Sequence, residues 1–127
     1  MNKELPKNIE AEKCLIGSMF WSNESLQKGC EEVEKEIFYL DSHAKIFEAI
    51  KSLYLNNTPV DITSLTTYLI SIDKINEVGG VEYLNEIVNS VATGDNIEYY
   101  INLVSDKYTL RKMIEVATDI VNKATNQ

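Results

Sequence analysis

Apolar residues recur at intervals of three and four along almost the whole chain, the spacing of one helical face rather than the alternation of a half-buried strand. The first such run is Ala11, Leu15, Ile16, Met19 and Phe20. Asn8 stands just before it as a candidate N-cap. Glu10 and Glu12 fall in the first turn, where negative charge meets the positive end of the helix dipole. Asn23 can cap a short second helix running to about Cys30. The segment "EEVEKE" (31–36) interrupts the pattern and reads as a solvated acidic stretch. A third helix opens at Asp41 or Ser42, carries the stripe Ile46, Phe47, Ile50, Leu53 and Tyr54, and ends at "NNTP" (56–59).

"PVDITSL" (59–65) contains the parts of a helix start in order: Asp61 as cap, and Val60 before it able to pack on Leu65 as a hydrophobic staple. Ile62, Leu65, Leu69 and Ile72 form the expected buried face. The pair "GG" (79–80) is a breaker, after which Val81, Leu84, Ile87, Val88 and Val91 resume helical spacing. "TGDNIE" (93–98) marks the last start, with Asp95 as cap and Glu98 three residues on, the spacing of a capping box. From 96 to about 123 there is no Gly or Pro, which predicts one helix of up to ~28 residues, about 42 Å long. No segment reads as a convincing strand. The expected fold is all-α: a head of about five short helices (residues 1–94) followed by one long helix (95–127).

That helix carries two apolar lines. Ile97, Ile101, Val104 and Tyr108 step by 4, 3 and 4, but the same register would next reach Arg111 and Glu115. A second line, Leu110, Ile114, Ala117, Val121 and Ala124, has heptad spacing and small residues that suit close helix–helix packing. The first line is expected to pack on the head. The second has no helix left in the chain to meet, and reads as a self-association seam: one arm of a truncated hairpin, or an arm that dimerises.

Composition excludes more than it selects. The 127 residues, 44% hydrophobic and 25% charged, suit one soluble domain with its own core. No apolar run approaches a membrane span, and the polar start "MNKELPKN" offers no signal-peptide core, so an intracellular site is expected. The net charge of −8 disfavours direct binding of DNA or RNA, which relies on Lys and Arg against phosphate, and favours a protein partner with basic residues. Most of the excess lies in residues 1–94, with 8 Lys against 15 Asp and Glu; residues 95–127 hold 4 Lys and Arg against 5.

Candidate chemistry is thin. Glu10 and Glu12 stand two apart, so on a helix they point about 200° away from each other and cannot converge on one substrate. Cys14 and Cys30 form no paired motif and the single histidine, His43, is near neither, so no zinc site and no metal ligands are expected. His43 at a helix start reads as a structural residue. The glycines make no phosphate-cradling loop, and no catalytic or cofactor-binding residue is assigned. The chain alone is not expected to be an enzyme.

Five segments, in order, carry a family resemblance: "PKNIEAEKCLIGSM" (6–19), "IFYLDSHAKIFEAI" (37–50), "TPVDITSLTTYL" (58–69), "VGGVEYLNEIV" (78–88) and "DNIEYYINLVSDKYTLRKMI" (95–114). Together they resemble the N-terminal domain of bacterial DnaB-type replicative DNA helicases. Two positions depart from the family pattern: Ile37, where an acidic residue is usual, and Ser64, where Thr often precedes Leu65. The resemblance implies a helical head and the first arm of a hairpin, with the hairpin's second arm and the ATPase domain outside this chain. It implies pairing of these domains and three pairs in a hexameric collar. It also implies docking of the primase C-terminal domain and, in some bacteria, of a helicase loader. ATP, Mg and most DNA contacts would belong to the ATPase domain, and the setting would be the bacterial cytoplasm at the replication fork. The alternative is an unrelated acidic helical adaptor.

Overall fold

The computed structural model describes residues 4–126; residues 1–3 of the polar start, and Gln127, lie outside them. Among the described residues there are six α-helices and no strand: α1 (Ile9–Ser18), α2 (Asn23–Glu32), α3 (Asp41–Leu55), α4 (Ile62–Ser71), α5 (Gly80–Val88) and α6 (Ile97–Thr125). A single 3-10 turn, Lys35–Ile37, joins α2 to α3.

Helix α1 is the centre of the head and packs on α2, α3, α5 and α6. Its side chains Leu15 and Ile16 have no exposed surface, and neither do Ile46 and Ile50 of α3 or Leu65 and Leu69 of α4. Fully burying one such side chain contributes about 1.5–3 kcal/mol, so this cluster dominates the stability of the head. Gly17 allows α1 to lie against the end of α5: a Cβ there would run into the Ile87 carbonyl oxygen.

The helix starts follow local capping chemistry, with two corrections to expectation. Asn8 accepts a hydrogen bond from the Ala11 N–H at 3.0 Å. Asp61 accepts from the Ser64 N–H at 2.7 Å, and the Ser64 hydroxyl accepts from the Asp61 N–H at 3.0 Å, a reciprocal box. The cap of α2 is Ser22, not Asn23: its hydroxyl accepts from the Ser25 N–H, and Asn23 is the first helical residue. Asp95 does not cap α6. Asn96 occupies the cap position without a side-chain hydrogen bond, and the Asp95 N–H instead donates to Thr93 Oγ1 at 3.2 Å. Asp95 is drawn into the preceding turn, one residue too early to reach the free N–H groups of the helix.

The helix ends turn on residues that tolerate left-handed backbone. Asn57 (φ 57°) follows α3 and Asp73 (φ 58°) follows α4, each just beyond a helix C-cap. Gly79 takes φ 101° immediately before α5, a conformation glycine adopts without strain. Some apolar positions fall outside the core: Ile72 and Val81 are exposed, and Val91 lies beyond the end of α5. Val33, inside the acidic run, is buried, while Glu31, Glu32, Glu34 and Glu36 face solvent.

Candidate functional site: a bare helical arm and the network at its root

Helix α6 runs for 29 residues, about 43 Å at ~1.5 Å per residue. Its first three turns belong to the head, with Ile97, Ile101 and Val104 buried and Tyr108 partly so. From Lys112 onward every described residue is exposed. All five seam residues lie on this bare stretch or at its root: Leu110 and Ile114 are 42% and 43% exposed, Val121 is 58% exposed, and Ala117 and Ala124 are also open.

The apolar face is wider than that seam. Met113, Val116 and Ile120 are 62%, 55% and 63% exposed. At about 100° per residue they extend the seam into an arc of roughly 160°. With Thr109, Lys112 and Ala117 they border an open hollow of about 430 Å³. This flank lies beside the heptad line of the seam, and its three residues step by 3 and 4, a helical spacing already present in the sequence.

At the arm's root, Arg111 connects three parts of the chain. Its Nη1 donates to the Pro6 carbonyl at 2.9 Å and its Nη2 to the Ile37 carbonyl at 2.8 Å. Its guanidinium carbon stands 5.5 Å from the Tyr39 ring centre and 5.8 Å from that of Tyr108. Lys7 places its ammonium 4.8 Å from the same Tyr39 ring. A groove of about 470 Å³ lies beside this cluster, lined by Leu5, Phe38, Tyr39, Tyr108, Arg111 and Ile114 among others.

Behind Tyr39 lies a buried polar network. Glu10 and Glu12 do diverge: the Glu10 side chain is 77% exposed and pairs with Lys13, whereas Glu12 is 1% exposed. The Glu12 carboxylate accepts from the Tyr39 N–H at 2.6 Å, the Leu40 N–H at 3.4 Å and His43 Nδ1 at 2.8 Å. Helix α3 has no side-chain cap of its own, so Glu12 satisfies the start of a helix 28 residues further along the chain. His43, with no exposed surface, turns Nε2 to the Tyr83 hydroxyl at 2.6 Å. The imidazole thus bridges the Glu12 carboxylate at Nδ1 and the Tyr83 hydroxyl at Nε2. Burial pushes the Tyr83 phenol above its ordinary range. Carboxylate, imidazole and hydroxyl stand in relay order, but the carboxylate is committed to backbone N–H groups and the neighbouring grooves do not open on it. The arrangement ties α1, α3 and α5 together.

Among the described residues no group of His, Cys, Asp and Glu could hold a metal ion, and no helix is long and apolar enough to cross a membrane.

The architecture defines a small all-helical head with a projecting helical arm. The family described as "DnaB-like helicase N terminal domain" matches residues 4–106, and the chain belongs to that family. It is 42% identical over 115 residues to the replicative DNA helicase DnaC of Bacillus subtilis (strain 168), covering 91% of this chain and 25% of that protein. It is 37% identical over 115 residues to the replicative DNA helicase DnaB of Geobacillus stearothermophilus, with the same shares covered, 91% and 25%. The chain thus spans about a quarter of the length of these relatives. Its fold superimposes on the N-terminal domain of DnaB helicase from Mycobacterium tuberculosis with a TM-score of 0.93 at 27% identity, covering 98% of this chain and 88% of that one.

Proposed function

We propose that this chain is the oligomerisation and partner-docking domain of a replicative DNA helicase. The observation that carries the reading is the bare face of α6 on a domain of this family. A soluble helix does not keep Ile114, Val116, Ile120 and Val121 in water over several turns unless another surface covers them. An arc of roughly 160° exceeds what one helix covers along a heptad seam, so two helices are the fitting occupants, at least one of them from a second copy.

In the whole protein, the domains pair and three pairs form a hexameric collar. ATP and Mg serve a separate ATPase domain that unwinds duplex DNA at the fork, in the bacterial cytoplasm. The acidic surface, net −8, suits a partner with basic residues, and the C-terminal domain of primase is the partner proposed, with a helicase loader as another. Calorimetric titration of this chain with the primase C-terminal domain of the same organism tests the docking half. Saturable binding that weakens between low and moderate salt is expected. Absence of heat at both salts removes primase docking from this domain.

A further inference from the structure

We infer that Arg111 is a positioning residue: it latches two segments outside the α-helices, residues 4–8 and 35–40, onto the root of the arm and so builds the groove where the bare face meets the head. The inference deepens the docking reading above and rests on it for its biological sense, but its geometry stands alone.

Both carbonyls that Arg111 holds belong to chain outside any α-helix. Pro6 precedes α1, and Ile37 ends the 3-10 turn before α3. The planar guanidinium presents several donors in a fixed fork, so one side chain reaches two carbonyls from different segments. The same group lies near the rings of Tyr39 and Tyr108, and Lys7 brings a second cation to Tyr39. Tyr39 is therefore held by its ring from the arm side. It is also held through its N–H by the buried Glu12 carboxylate. The contacts form a continuous series from the arm through Tyr39 to Glu12 and His43. Three turns of α6 are already anchored by Ile97, Ile101 and Val104, so the latch is not needed to fix the arm's direction. What it fixes is the pair of segments that wall the groove, with Leu5 on one and Phe38 and Tyr39 on the other.

Hydrogen exchange on the intact chain, compared with Arg111→Ala and Arg111→Lys, tests this. The amides of residues 37–40 are all bonded, to Glu34, Lys35 or the Glu12 carboxylate. In Arg111→Ala these four are expected to exchange about tenfold faster or more, with contact between Lys7 and the Tyr39 ring lost by NMR. Residues 15 and 46–50 should keep their protection. Arg111→Lys should fall between, because an ammonium keeps the charge but not the fork. Unchanged exchange at 37–40 overturns the latch. An equal rise at 15 and 46–50 overturns it as well, since Arg111 would then support the whole fold rather than position two segments. Neither result depends on whether the arm binds a partner, so the docking reading is tested separately.

Discussion

The Glu12 side chain is 1% exposed, and among the described residues no lysine or arginine pairs with it. Its stability comes from three donors: two backbone N–H groups at the start of α3 and the His43 imidazole. Replacing it with alanine leaves all three without this acceptor, His43 fully buried and the two backbone groups part-buried. Glu12→Ala should therefore cost about 3 kcal/mol or more in urea unfolding. Tyr83→Phe removes only one partner of His43 and should cost about 1–2 kcal/mol. The reverse ranking would mean that the carboxylate is not the hub. Sequence reading placed Glu12 in the first turn of α1 and assigned it to the helix dipole. It could not see that the side chain points inward, because the donors it serves lie 27 and 28 residues away. A lone histidine at a helix start was the available clue, and it led to a structural role without naming the partner.

Cys30 belongs to the same scale. Burial pushes its thiol up to about 11, so at neutral pH the thiolate is scarce. Native protein at pH 8 should yield no more than one of its two thiols, Cys14, to a soluble disulfide reagent, while urea-unfolded protein yields both. Rapid labelling of Cys30 in the native state would contradict its burial. The sign for stability follows. In the unfolded chain the thiol ionises near ~8.5, so stability falls as pH rises from there toward about 11 and is unaffected by Cys30 below.

At the scale of elements, the helical periodicity carries most of the fold. The 3–4 spacing locates five of the six helices, because each must bury a stripe and nothing in the chain alternates; α2 is marked only by a cap signal, and that signal falls one residue late. Asn8 and Asp61 cap where the local pattern put them, since a capping side chain needs only its own first turn. Asp95 failed for a local reason too: the Thr93 hydroxyl offers its N–H a nearer partner within the turn. The two aspartates therefore make a matched test. Asp61→Ala should lower stability by about 1 kcal/mol, and Asp95→Ala should stay within about 0.5 kcal/mol. Equal losses in thermal unfolding would mean that Asp95 contributes to the start of α6 after all. Helices α4 and α5 bury fewer apolar residues than their spacing predicts, Leu65 and Leu69 in one and Leu84 and Ile87 in the other. Ile72 and Val81 keep helical spacing yet lie at the rim, and spacing alone does not say how far a partner surface extends.

At the scale of the whole molecule, α1 to α5 and the first turns of α6 share one core, while the rest of α6 is bare. The division of α6 into a packed section and a bare one was legible in the change of register near Thr109. The width of the bare face and the Arg111 latch were not, the latch because it joins residues 6, 37 and 111. The relatives matched are about four times as long as this chain.

In the proposed function, the bare face of α6 mediates self-association. Sedimentation equilibrium of the chain over a wide concentration range, beside Ile114→Asp and Val121→Asp, tests it most directly. The native chain is expected to associate as its concentration rises. Either variant should weaken this by about tenfold or more, because a lone carboxylate in an apolar interface costs several kcal/mol. Circular dichroism should show the head's helices intact. A chain that stays monomeric at the highest concentrations, or variants that associate as the native chain does, would contradict it.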